Sequence, residues 1–174
     1  MLIFVAGVHG VGKGYLCKKY SEENDVNYQS ASQLIRNHGD IEIPLDKLAS
    51  NLDRNQLILI SALESLLNKH KKILLDGHFC LLQKNGGIKS LDKSTFQSLC
   101  IDGVILLEND SETIIKRIIE RDGAAPSYDI DALIKFEREN AFSICQDLNI
   151  PIKILSSSTI EEFTRCVNEI ERKR

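Results

Sequence analysis

The sequence predicts an α/β fold in which a five-stranded parallel sheet is covered by helices on both faces. Two observations carry that prediction. Five short apolar runs, at 2–6, 26–29, 72–76, 103–107 and 152–155, are separated by longer stretches with helical periodicity, the signature of alternating strands and helices. The first run, Leu2-Ile3-Phe4-Val5-Ala6, leads at once into G-V-H-G-V-G-K-G at 7–14, a glycine-rich turn where a buried strand would hand over to a helix.

The helical segments follow from spacing. A helix leaves from Lys13, and Ser30 or Ser32 is placed to cap a second one containing Arg36. Residues 45–67 set Leu48, Leu52, Leu57, Ile60, Leu63 and Leu67 three to five apart. In 113–121, Ile114, Ile115, Ile118 and Ile119 form one face while Arg117 and Arg121 share another, four residues apart. Helix 130–148 is expected to turn Leu133, Phe136, Ala141, Ile144 and Leu148 inward, and 160–170 is amphipathic before a basic, solvated terminus. Two segments read as mobile loops, 83–90 with Gly86-Gly87 and 123–128 with Gly-Ala-Ala-Pro.

Composition narrows the function. A chain of 174 residues with 43% hydrophobic and 27% charged residues suits one domain with its own core. The net charge of −3 gives no general electrostatic support for nucleic-acid or membrane binding, although a local basic site stays open. The first apolar run is too short to span a bilayer and has no basic leader, so a cytoplasmic protein without a membrane helix is expected. Five scattered cysteines without a C-x-x-C pair suggest buried free thiols in a reducing compartment.

The chemistry concentrates around the first loop. Glycines allow consecutive backbone N–H groups to point at a phosphate, the helix N-terminus adds positive potential, and Lys13 reaches the β- and γ-phosphates. The residue after Lys13 is Gly14 rather than Ser or Thr, and Tyr15 follows. The third strand ends in Asp76-Gly77-His78. A carboxylate there would orient a magnesium ion, through water or directly. His78 has two readings, a group that positions a substrate hydroxyl or phosphate, or a hydrogen-bonded wall residue. Arg36, Arg117, Arg121 and Arg138 supply the cations that phosphoryl transfer needs around the migrating group.

In order and spacing, nearly the whole chain resembles a nucleoside monophosphate kinase of the adenylate kinase superfamily, nearest in layout to the compact archaeal-type adenylate kinases. G-V-H-G-V-G-K-G is similar to that family's loop, in which Gly also follows the lysine. S-A-S-Q-L-I-R at 30–36 is similar to the family's S-T-G-D-M-L-R, and I-L-L-D-G-H-F at 73–79 to its strand ending in Asp-Gly, with His two residues after the Asp in the archaeal type. The resemblance implies a P-loop NTPase three-layer sandwich with strand order 2-3-1-4-5 and a short lid at about 121–130. It implies a single kinase-like domain over 1–174, with the acceptor region at about 30–70. ATP and Mg²⁺ would be the cofactors, and the partner a small nucleotide bound by a monomer.

By this resemblance Gly7, Val8, His9, Gly10, Val11, Gly12, Lys13, Gly14, Tyr15 and Arg117 hold ATP. Asp76 organises Mg²⁺ through water, and Lys13, Arg121, Arg138 and Asp76 are catalytic. Ser32, Arg36, Gly77, His78 and Gln83 contact the acceptor, and Asp129 with Arg138 fits the lid's exit helix. The chain departs from the family in four places: Tyr15 stands for Thr, Phe79-Cys80 for Pro-Arg, Ser127 for a lid arginine, and Gln83 falls one residue short of the family's glutamine. Arg54 or Lys84 is a candidate substitute for a lost cation. The expected activity is transfer of the γ-phosphoryl of ATP to a nucleoside monophosphate. Two alternatives stand beside it, a kinase of another small metabolite and a slow nucleotide-binding switch on the same fold.

Overall fold

The computed structural model describes residues 1–39, 53–83, 86–156 and 159–172. In chain order the elements are β1 (Leu2–Ala6), α1 (Lys13–Glu23), β2 (Asn27–Ser30), α2 (Ala31–Asn37), α3 (Arg54–Leu67), β3 (Ile73–Asp76), β4 (Cys80–Leu82) and β5 (Ile88–Ser90). They continue with α4 (Lys93–Leu99), β6 (Gly103–Glu108), α5 (Ser111–Asp122), α6 (Ile130–Leu148), β7 (Ile152–Ser156) and α7 (Ile160–Arg172). A parallel sheet runs β2-β3-β1-β6-β7, and β4 and β5 form a separate antiparallel hairpin. With the hairpin strands left out of the count, this is the expected 2-3-1-4-5 order.

The side-chain period of two in β1 divides the interior into two cores. Leu2, Phe4 and Ala6 join one cluster with Leu59 and Leu63 of α3, Phe96 of α4 and Ile144 of α6. Ile3 and Val5 join the other, with Leu16 and Tyr20 of α1, Ile114 and Ile118 of α5, and Phe163 and Ile170 of α7. Every residue of β1 is buried, as a central parallel strand covered on both faces requires. Helix α6 serves both cores: Ile130 and Leu133 enter the second, and Ala141, Ile144 and Cys145 the first. It therefore passes the carboxyl ends of the central strands midway along its 19 residues.

Local signals fix the helix ends. The Asp53 side chain accepts from the Gln56 N–H while the Gln56 side chain accepts from the Asp53 N–H, a reciprocal cap on α3. Asp110 and Asp129 cap α5 and α6 in the same way, by accepting from Thr113 and Ala132 N–H. No helix of the described residues is long and apolar enough to cross a membrane.

Three expectations change. The end of the stretch 83–90, read as a loop, is strand: Ile88–Ser90 pairs antiparallel with Cys80–Leu82, and Gln83 N–H donates to Gly87 C=O at 2.8 Å. Helix α4 has seven residues, too few to show a period, and its signal is only the pair Phe96 and Leu99. In α6, Phe136 is 46% exposed and Glu137 takes the inward position. Ile119 is likewise exposed rather than inward. Of the cysteines, Cys17, Cys80, Cys145 and Cys166 are buried and Cys100 is exposed. Residues 45–52, Lys84, 157–158 and the last two residues, on which other expectations fell, lie outside the described residues.

Candidate active site

The strand–loop–helix hand-over at 7–14 builds the site. Gly7, Gly10 and Gly12 have φ of 137°, 81° and 110°, a region that residues with a Cβ rarely adopt. Gly7 also has no room for a side chain, since a Cβ there would stand 2.5 Å from the Leu107 carbonyl oxygen. Lys13 is buried and its Nζ folds back to donate to the carbonyls of Gly7 at 2.6 Å and Val8 at 3.2 Å. Burial lowers its pKa from 10.5 to about 8, against the pull of Asp76 and Glu137.

Strand pairing brings the second layer of groups to the loop. Asp76 sits opposite Val5 on one side and Ser30 on the other. The Tyr28 hydroxyl donates to Asp76 Oδ2. Burial and this bond push the phenol's pKa up, so it keeps its proton. Gly77 packs against the Phe4 ring, where a Cβ would stand 2.6 Å from two ring carbons. That absence of a side chain lets the chain turn off β3 and place His78 beside His9, ring centroids 4.2 Å apart. Burial and the nearby Lys13 charge lower both histidine pKa values, that of His78 strongly, so both rings are neutral.

Two cavities open at these strand ends, the position expected for ligands in an open α/β sheet. The first, about 350 Å³, lies on the loop and is lined by Lys13, Gly14, Arg117 and Arg121 among others. Arg117 Nη1 donates to the Val11 carbonyl at 2.9 Å, and Arg121 makes a bidentate pair with Asp122 at 2.7 and 2.6 Å. The second, about 370 Å³, has a largely apolar wall that includes Phe4, Ile35, Leu59, Phe96 and Leu99, with Arg36 on its margin. Ser30, Ser32, Asp76 and His78 line both cavities.

Of the predicted residues, Gly7 and Val11 belong to the loop without lining either cavity, and three others stand apart. Tyr15 is 68% exposed and does not line the phosphate cavity. Gln83 is exposed at the hairpin turn and lines neither cavity. Arg138 also lines neither: its Nη1 donates to Glu108 at 2.9 Å and its guanidinium lies over Phe142. Successive helix residues are about 100° apart, so with Glu137 turned to the strand ends its neighbour Arg138 faces Glu108. Arg54, a candidate substitute cation, donates to the Gly39 carbonyl at 2.8 Å instead.

Glu137 is the residue that the pattern reading missed. It is 2% exposed, and its Oε1 accepts from Gly7 N–H at 3.1 Å. Phe79 N–H donates to both oxygens at 3.0 and 2.9 Å, and Cys80 N–H to Oε2 at 2.8 Å. Burial raises its pKa, while the three amides and Lys13 pull the other way. The carboxylate thus ties the start of the phosphate loop to the chain leaving β3. Nearby, Asn140 Nδ2 donates to the Phe79 carbonyl at 2.7 Å, holding the same segment to α6. A detectable signal existed, since Leu133, Glu137, Ala141 and Ile144 form a stripe of three- and four-residue spacing with one charge on it.

A family model described as AAA domain matches residues 6–135, about three-quarters of the chain and all of the phosphate-loop region. The chain belongs to the AAA domain family. Solved structures share this AAA domain's fold at low identity. An uncharacterized protein from Eubacterium ventriosum ATCC 27560 superposes with a TM-score of 0.56 at 12% identity, covering 100% of this chain and 99% of its own. A gluconokinase from Sinorhizobium meliloti 1021 gives 0.52 at 13%, covering 98% and 91%. A sugar kinase from Janibacter sp. HTCC2649 gives 0.52 at 14%, covering 99% and 91%.

Two outcomes follow from this geometry. Glu137→Ala strands three buried amide donors and lowers stability by about 3–5 kcal/mol, measured by urea unfolding; a loss below about 1 kcal/mol would contradict the tie. Lys13, depressed to about 8 in the folded chain, loses its charge as pH rises through that value. Nucleotide affinity then falls above about pH 8, and calorimetry in buffers of different ionisation enthalpy shows proton uptake on binding there. The unfolded chain holds the extra proton between about 8 and 10.5, so the contribution of Lys13 to stability rises with pH across that window.

Proposed function

We propose that the protein is an ATP-dependent phosphotransferase, a nucleoside monophosphate kinase-like enzyme that moves the γ-phosphoryl of ATP to a small acceptor. The observation that carries this reading is the shared wall. A donor held on the loop cavity and an acceptor in the second cavity meet across Ser30, Ser32, Asp76 and His78. Lys13 and the loop amides hold the donor phosphates, Arg117 and Arg121 neutralise the migrating group from α5, and Arg36 meets the acceptor's anionic end. The described cation set is smaller by Arg138, which Glu108 engages.

Asp76 suits magnesium, which takes hard oxygen ligands and fills its remaining positions from phosphates and water. When bound, the ion neutralises charge on the phosphoryl oxygens. The chain 1–174 acts as one kinase-like unit, with 123–128 as a short cover that keeps water from the transfer.

The acceptor side suits a nucleotide. Phe4, Ile35, Leu59, Phe96 and Leu99 offer apolar surface for a base, while Asp53, Asn55, Gln56 and Thr95 on the same wall could bond its edge or a sugar's hydroxyls. The gluconokinase and the sugar kinase of the same fold keep sugar-type acceptors in the test panel.

The test is ADP formation from ATP and Mg²⁺ across nucleoside monophosphates, sugars and sugar acids. Acceptor-dependent turnover is expected with a nucleoside monophosphate. Lys13→Ala and Arg121→Ala each lower kcat by at least about 10²–10³-fold with the circular dichroism spectrum unchanged. No acceptor-dependent ADP from the wild-type protein would defeat the kinase reading, and nucleotide binding without turnover would leave the switch in its place.

A further inference from the structure

Position 14 is where the general phosphate-loop pattern carries a Ser or Thr whose hydroxyl meets the magnesium of the nucleotide. Here it is Gly14, so the loop contributes no hydroxyl at that point. The space is not open. A Cβ at Gly14 would stand 3.2 Å from the Tyr28 hydroxyl and 4.0 Å from Asp76 Oδ2. Any side chain there would press on the phenol, which must give by a few tenths of an ångström. Tyr28 comes from β2, where it pairs with Leu74 of β3 two residues before Asp76. Its ring packs against the second core, beside the cluster that holds Leu16, Cys17 and Tyr20 of α1, so the hydroxyl is held by both sheet and helix packing.

We propose that the Tyr28 phenol replaces the missing hydroxyl at position 14, fixing the Asp76 carboxylate by donating to Oδ2 and so setting the protein's affinity for the divalent cation that accompanies ATP. This rests on the loop being an ATP site with Asp76 on its cation side. Tyr28 is a positioning residue here, acting through Asp76. A side chain at position 14 and the phenol crowd one another, because a Cβ would stand only 3.2 Å from the phenol oxygen and one of the two must shift. That crowding makes the inference testable by exchange of one hydroxyl for the other.

The test uses the full chain with Mn²⁺ as the probe ion. Free Mn²⁺ is followed by electron paramagnetic resonance as it titrates the ATP-bound protein, and metal-free ATP binding is measured by calorimetry in EDTA. Tyr28→Phe is expected to weaken Mn²⁺ binding about tenfold or more, the size expected for a hydrogen bond to a charged group, with metal-free ATP affinity unchanged. Gly14→Ser alone weakens Mn²⁺ binding by colliding with the phenol. Gly14→Ser combined with Tyr28→Phe restores it, since the new hydroxyl then has the vacated space. Wild-type Mn²⁺ affinity in Tyr28→Phe, or a double variant no better than Tyr28→Phe, overturns the proposal. Should Tyr28→Phe fail to fold by thermal melting, Gly14→Ala carries the test, since it crowds the phenol without supplying a hydroxyl, and unchanged Mn²⁺ affinity in it overturns the proposal. If wild-type protein binds no ATP with or without Mn²⁺, the ATP-site reading falls and this inference with it. If ATP binds and the metal affinity ignores Tyr28, only this inference falls.

Discussion

One buried carboxylate organises the strand ends on which everything else rests. Glu137 accepts three backbone N–H groups from two separate chain segments, one at the start of the phosphate loop and one after β3. Both segments leave the sheet at its carboxyl edge with amides that no strand partner can take up. Left unpaired in the interior, each such amide would cost about 1–3 kcal/mol. Satisfying all of them from a single side chain fixes the spacing between the loop and the β3 exit. The charge also acts on Lys13, together with that of Asp76, while the Gly7 and Val8 carbonyls accept from its ammonium.

That spacing decides what the two cavities can do together. The loop cavity is polar and cationic, and the other is largely apolar with an arginine at its margin. They meet over Asp76 and His78, which follow directly from the strand that Glu137 pins. A neutral His78 beside a neutral His9 lets the wall between donor and acceptor stay free of positive charge except at Lys13 and the arginines. In the proposed transfer, cations would stand where phosphate charge must be met, and the acceptor body would meet a largely apolar wall. The AAA domain fold supplies the frame, and the side chains at the strand ends set this distribution of charge.

Features whose chemistry is local were legible in the sequence. The 7–14 loop follows its strand directly, Asp76 ends an apolar run, and Arg117 and Arg121 are one helical turn apart, so spacing alone brought them out. The five sheet strands were readable for the same reason, because apolar runs alternate with helical periods, whereas their order was implied only by the family resemblance. Contacts made across long sequence distances were not. Glu137 reaches Gly7 over 130 residues and Tyr28 reaches Asp76 over 48; the stripe on α6 marks Glu137 as inward, but no local pattern names either residue's partner. In α6 the choice between Phe136 and Glu137 for the inward position turned on the strand-end amides, which override hydrophobicity at that one turn. Arg138 then follows its neighbour's rotation and goes to Glu108, where a motif comparison would have put it at the phosphates. The hairpin strands have three residues each and α4 has seven, below the length at which periodicity carries information.

The central claim is that donor and acceptor occupy the two cavities at once and meet across Asp76 and His78. A bisubstrate dinucleotide, two nucleosides joined through a polyphosphate bridge, tests it directly by calorimetry against ATP alone. The account predicts one analogue per chain, bound at least about 10²-fold more tightly than ATP, as linked occupancy of two sites gives, with Arg36→Ala removing most of that gain while leaving ATP affinity intact. An analogue that binds no more tightly than ATP, or a gain indifferent to Arg36, would contradict a two-cavity transfer site.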